Sequence, residues 1–193
     1  MDEGATMHAL LDIQRDWTFE ELQQALPEDA DWRRYEIVDG ALVVSPSADI
    51  DHEFVIDQIR RILRRQLPSD LWVGGPVTVD LHPSYRIPDL VVVPRELLGE
   101  RRTLIVPSEL LLAVEVVSPG SRTTDRVTKP AQYAAAGIRA FWRVERDPAV
   151  QLSACLLEDD ASVYTELGTW SAGQVAEIDE PLRLRVEIDE LIP

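Results

Sequence analysis

A chain of 193 residues with 45% apolar and 28% charged side chains can bury one substantial hydrophobic core and has a globular composition, not a disordered one. Its 19 basic and 35 acidic residues give a formal charge of −16, which argues against broad electrostatic capture of nucleic acid, because phosphate binding draws on basic surface. No apolar run approaches the roughly 20 residues of a membrane helix, and the single Cys155 excludes an internal disulfide or a cysteine-rich zinc site.

The opening MDEGATMHALLDIQRDW lacks the basic start and apolar centre of a signal peptide, so a cytoplasmic location is expected. Residues 1–17 read as an N-terminal extension and 18–193 as one domain, since no linker or repeat divides them. Thr18 and Glu21 have capping-box spacing and introduce a short helix, FEELQQAL. Two β-type runs follow in RYEIVDGALVVSP, and Asp39-Gly40 between them predicts a tight hairpin. Asp49 or Asp51 caps the next helix, HEFVIDQIRRILRRQL, whose apolar stripe is Val55, Ile59, Ile62 and Leu63 with arginines opposite. LWVGGPVTVDL reads as a strand bent at Gly-Gly. DLVVVP and ELLLAVEVVSP are nearly all apolar, the pattern of central strands covered on both faces. A helix around TKPAQYAAAG is closed by Gly137, and IRAFWRVER resumes a strand. VQLSACLLE, SVYTEL and LRLRVEI alternate as antiparallel edge strands do. The order predicts an α+β fold: a mixed sheet flanked by helices, with an added N-terminal hairpin and C-terminal antiparallel strands.

Two acids break this apolar pattern. Asp89 opens the DLVVVP strand, and Glu115 stands where every neighbour from Leu110 to Val117 is apolar. A lone ionised carboxylate costs several kcal/mol to bury, so each needs a cation or a donor. Two on neighbouring strands repel unless a divalent ion lies between them, and hard oxygens favour Mg²⁺, with Mn²⁺ as a substitute.

Pro88-Asp89, Glu115-Val116-Val117-Ser118-Pro119, Asp125, Lys129, Tyr133, Gly137 and Phe141-Trp142 resemble the core of the Uma-type restriction endonucleases, a branch of the PD-(D/E)XK nuclease superfamily. Tyr35-Glu36-Ile37-Val38-Asp39-Gly40, Ser45-Pro46 and His52 match the family's N-terminal half, so the likeness spans roughly 18 to 190. The resemblance implies a restriction-endonuclease-like fold and Mg²⁺-dependent hydrolysis of DNA. It makes Asp89 and Glu115 metal ligands, helped by the Val116 carbonyl and by Glu36, and gives His52, Asp125 and Tyr133 supporting places. One departure stands out: the superfamily's lysine lies two residues after the glutamate, where this chain has Val117. The resemblance puts Lys129, on the next helix, in that role. With Pro130 beside it, a regular helix starting near Thr128 is expected, which puts Lys129 at its N-terminal end.

Plainer readings stand beside these. Asp89 alone is a turn residue, Glu115 a partner for an arginine, Lys129 a solvated residue paired with Asp125, and Glu36 an exposed edge acid. The two tryptophans Trp72 and Trp142 read as core. Two other functions remain open. One is a catalytically weak nuclease-fold binding or assembly module, suggested by the acidity and the missing strand lysine. The other is a carboxylate-pair hydrolase such as a glycosidase. A homodimer is expected, because the C-terminal strands offer an edge and cutting two DNA strands favours two sites.

Overall fold

The computed structural model describes residues 16–193 apart from Glu28 and Pro46. The proposed extension therefore lies outside the described residues as far as residue 15, as does Pro46 of the Ser45-Pro46 motif. Helix α1 (Phe19–Ala25) starts from the predicted capping box: Thr18 Oγ1 accepts from the Glu21 amide and Glu21 Oε2 accepts from the Thr18 amide. Strands β1 (Tyr35–Val38) and β2 (Ala41–Val44) form the hairpin. Asp39 and Gly40 both sit at positive φ (49° and 82°), as a two-residue turn of this hand requires. Helix α2 (Ile50–Gln66) is capped by Asp49, which accepts from the His52 amide at 2.8 Å.

The strands that follow are β3 (Leu71–Gly74), β4 (Thr78–Leu81), β5 (Ser84–Arg86), β6 (Leu90–Pro94), β7 (Leu104–Ile105) and β8 (Leu112–Val116). After a helical segment that ends in α3 (Lys129–Ala135) come β9 (Ala140–Glu145), β10 (Gln151–Leu156), β11 (Thr165–Ser171), β12 (Val175–Ile178) and β13 (Leu184–Glu187). A six-stranded sheet runs β11-β10-β9-β8-β6-β3, with β8 and β9 its parallel pair and the others antiparallel. A five-stranded sheet runs β2-β1-β5-β4-β7. Gly137, at φ 81°, ends α3 in the left-handed region.

Alternation along the central strands sends side chains to two cores. Leu90, Val92, Leu112, Val114, Val116, Trp142 and Val144 meet the stripe of α2 on one face. Val91, Val93, Ala113 and Phe141 meet Tyr133, Ile138, Val79 and Ile105 on the other. Both faces of β6 and β8 are covered, which is why these segments are apolar apart from Glu115. Glu115 falls in the second set, facing α3.

The fold differs from the sequence-based expectation in several elements, and strands β5, β7 and β12 have no counterpart in it. LWVGGPVTVDL is two strands in two sheets, since the chain turns at Gly75, where φ is +134°. The last two strands form their own ribbon, β12 with β13, whose Ala176, Ile178, Leu184 and Val186 close the core over α2. Among the described residues no helix is long and apolar enough to cross a membrane.

Gly75 also sets the start of β6. A Cβ there would come within 2.7 Å of the Asp89 carbonyl oxygen and 3.1 Å of Leu90 Cα, both backbone atoms. Gly75→Ala is expected to lose about 1–3 kcal/mol from strain and displacement at that left-handed position. Urea unfolding of the two proteins measures it, and an unchanged midpoint would contradict the reading.

Candidate active site

The buried acid of β8 gathers the site. Glu115 is 2% exposed. Its Oε1 accepts from the Tyr133 hydroxyl at 2.6 Å, and its Oε2 from Lys129 Nζ at 2.9 Å. Lys129 lies 3.5 Å from Glu36 Oε1 and 3.5 Å from Asp125 Oδ1. An ammonium carries three N–H donors, and three carboxylates surround this one. Lys129 is the only lysine in the chain; every other basic side chain is arginine. A compact point charge serves a three-way pocket that a planar guanidinium fork does not fill.

The regular helix starts at Lys129 with Thr128 at its cap, as expected, and a helical turn that the sequence did not show precedes it. A π-helical turn, Thr124–Thr128, precedes α3, and the Lys129 amide bonds the Thr124 carbonyl five residues back. The widened turn absorbs the donor that Pro130 lacks, and π turns of this kind are frequent at functional sites. Asp125, Lys129 and Tyr133 thus all face Glu115, and all three are buried.

Asp89 meets the site through one peptide. In the β6–β8 register Leu90 lies opposite Val114, so Asp89 falls beside Glu115. Asp89 Oδ2 accepts from the Val116 amide at 2.7 Å. The Val116 carbonyl lies 2.9 Å from His52 Nε2, which is itself 3.5 Å from Asp89 Oδ2. Asp89, Glu115, Val116 and His52 are therefore brought together. Glu36, beside Lys129, also has Oε2 accepting from Arg86 Nη1 at 3.0 Å and Oε1 from the Ile87 amide at 2.8 Å. It is 4% exposed, not the exposed edge acid of the plain reading, and its oxygens are taken up by these donors.

The protonation states follow from burial and crowding. Burial opposes charge on Lys129, but Glu115, Glu36, Asp125 and Asp89 outweigh it and hold the ammonium above its ordinary range. For Glu115, burial pushes the carboxyl well above the usual range, Lys129 pulls it down, and Asp89, Asp125 and Glu36 push it up. Tyr133 is raised well above its ordinary value by burial and by Glu115, so it keeps its proton and donates. With Tyr133 and Lys129 both donating to Glu115, the hydrogen bonding is that of an ionised carboxylate. Burial opposes charging of His52, and Asp89 overcomes it, so its pKa is raised. Asp49 is held at about 2 instead of 3.8 by hydrogen bonds from Arg146 and the His52 amide.

The residues present suit a hard divalent cation. Four carboxylates (Glu36, Asp89, Glu115, Asp125) face Arg86, Lys129 and His52, burial raises the pKa of Asp125, and Asp125 Oδ1 is buried without a hydrogen-bond partner. Among the described residues no three His, Cys, Asp or Glu side chains stand grouped to hold a metal by themselves.

Beside the site a cleft of about 540 Å³ opens between the N-terminus of α2 and the ends of β8 and β9, lined by Asp49, Val117, Ser118, Arg122, Glu145 and Arg146 among others. Its arginines are paired: Arg146 binds Asp49 through two hydrogen bonds of 2.7 and 2.9 Å, and Arg122 binds Asp147. Of the arginines along α2 and in the Arg101-Arg102 pair, Arg60 is held by Asp57, Arg61 and Arg65 by Glu190, and Arg102 by Glu100 and Glu109. Sequence reasoning missed Arg86 and Gln132, whose Oε1 accepts from Arg86 Nε at 2.8 Å. The one available signal was an arginine ending the short Ser84–Arg86 strand.

The fold has a solved counterpart. A structure described as "a putative nuclease belonging to DUF820 from Anabaena variabilis ATCC 29413" superposes with a TM-score of 0.67 at 16% identity, over 91% of this chain and 97% of that one. The architecture is thus that of a nuclease-like α+β protein. Residues 19–189 match the family described as "Uma2: Putative restriction endonuclease", and the chain belongs to that family. No curated protein matches it.

Tyr133→Phe removes one donor from a buried carboxylate and leaves the ring in place. A loss of about 1–3 kcal/mol in urea unfolding is expected, the cost of an unsatisfied buried acceptor. A neutral substitution would mean that Glu115 does not depend on that hydroxyl.

Proposed function

We propose that this member of the Uma2 family is a Mg²⁺-dependent endonuclease that hydrolyses phosphodiester bonds in DNA. The observation that carries the reading is the buried Glu115, joined to Lys129 on one side and through the Val116 peptide to Asp89 on the other. Asp89, Glu115 and the Val116 carbonyl are the oxygens that would hold the ion. When bound, a divalent cation neutralises phosphoryl charge and activates water for attack.

The chain's own groups do the rest. Lys129 presents an ammonium that keeps its proton and stabilises the negative charge that builds on the phosphorane oxygens. Glu115 anchors that ammonium, and Tyr133 anchors Glu115. Asp125 adds a third carboxylate to the cradle. His52 steadies the Val116 carbonyl and lies against Asp89. Lys129 thereby takes the place that Val117 leaves empty of charge on the strand. The protein acts on nucleic acid with few free cations, so its affinity rests on the site more than on a basic surface.

Purified protein is expected to nick or cut plasmid DNA with Mg²⁺ or Mn²⁺ and to stop in EDTA. Asp89→Asn and Glu115→Gln should each lower the rate at least about 100-fold. Equal cleavage by wild type and both variants removes the assignment. The −16 charge and the missing strand lysine favour, as a second reading, a nuclease-fold assembly module; this would show no cleavage and no saturable Mn²⁺ binding in calorimetry.

The working form we propose is a cytoplasmic homodimer. Strand β11 leaves one edge of the six-stranded sheet open, and two copies place two sites on a duplex. Sedimentation equilibrium is expected to give twice the chain mass, and a monomer at high protein concentration would rule out the dimer.

A further inference from the structure

Arg86 lies outside the residues that touch the proposed ion or substrate, yet it is only 1% exposed. Two contacts of its guanidinium converge on the surroundings of Lys129. Nη1 donates to Glu36 Oε2 at 3.0 Å, and Nε donates to Gln132 Oε1 at 2.8 Å. Glu36 is one of the three acids around Lys129, and Gln132 follows Lys129 by three residues on α3. Arg86 and Glu36 both belong to the five-stranded sheet, on β5 and β1, while Lys129 and Glu115 belong to the other half of the molecule. The small sheet thus grips the lysine-bearing turn at two points.

The three acids compete for one ammonium. Glu115 holds it at 2.9 Å, while Glu36 and Asp125 stand at 3.5 Å. Glu36 is the weaker competitor because its charge is already met by Arg86 and by the Ile87 amide. Without Arg86 its carboxylate would be a buried charge whose nearest remaining cation is Lys129.

We infer that Arg86 is a positioning residue for Lys129: by satisfying Glu36 it leaves the ammonium to Glu115, and by holding Gln132 it fixes the helical turn from which Lys129 projects. The inference rests on the role given to Lys129 in the proposed hydrolysis. It adds that the five-stranded sheet takes part in catalysis through this pair.

Because Lys129 is the only lysine, protein labelled with ¹⁵N-lysine yields one side-chain ammonium signal, which reports its surroundings directly. Arg86→Met is expected to move that signal and to lower kcat on DNA about 100-fold, the loss typical of an ångström of misplacement. KM should stay within about twofold, since Arg86 does not touch substrate. Adding Glu36→Gln removes the competing charge while Gln132 stays unheld, so Arg86→Met/Glu36→Gln should move the signal back toward its wild-type position and recover part of kcat. A signal unmoved in Arg86→Met, or a double variant no better than the single, overturns the inference. Should Arg86→Met fail to fold, Gln132→Leu, at a half-buried position, must shift the same signal, and an unchanged signal there also overturns it. If wild-type protein does not cut DNA, the proposed function falls, while the ¹⁵N shifts still decide whether Arg86 positions Lys129.

Discussion

A carboxylate inside a covered strand has to be met by donors or cations, and most of this structure around the site is the answer to that demand. Glu115 gains nothing from the apolar neighbours of β8, and its desolvation would cost several kcal/mol if left alone. The helix after β8 supplies both remedies, an ammonium and a phenol, one turn apart on the face turned to the sheet. The π-turn before α3 brings Asp125 to the same face. A site assembled this way is preorganised, because each group is held by another and little has to move when charge develops.

Charge is balanced locally in this protein. Its total of −16 would repel a polyanion, and Arg60, Arg61 and Arg65 of α2, with Arg122 and Arg146 at the ends of β8 and β9, are tied to acids. Within the site the balance is different in kind. Four carboxylates face two fixed cations in a place with little water, where each charge counts for more than on the surface. The surrounding acids, Glu115, Glu36, Asp125 and Asp89, keep Lys129 protonated despite its burial.

The two sheets are joined at the site by more than apolar packing. Glu36, Arg86 and Gln132 form a buried polar chain between them, and such chains are costly unless every member is satisfied. Here they are satisfied, with the Ile87 amide closing the remaining oxygen of Glu36. The hairpin is therefore part of the site's support, as well as a cover for the sheet.

Much of the scaffold was legible in the residues. The Thr18–Glu21 box, the Asp39-Gly40 turn, the stripe of α2 and the two apolar strands are local or periodic signals, and a short stretch of chain is enough to state them. Asp89 and Glu115 stood out for the same reason, as charges where the period calls for apolar side chains. The separation of LWVGGPVTVDL into two sheets was hidden, because a Gly-Gly bend looks alike whether the strand continues or departs. Glu36 read as exposed because alternation names two faces and does not say which is buried. Arg86 carried little beyond its place at the end of a short strand and Gln132 no signal, since the Arg86–Glu36 ion pair joins positions 50 residues apart that nothing local relates.

By itself the sequence determined the elements, the two anomalous acids and the lysine that follows them, since propensity, period and composition act over neighbouring residues. Only the tertiary structure decided which charges meet. Hydrogen bonds and ion pairs act over about 3 Å of space, and the distances among Glu36, Arg86, Glu115 and Lys129 are set by how two sheets and a helix pack.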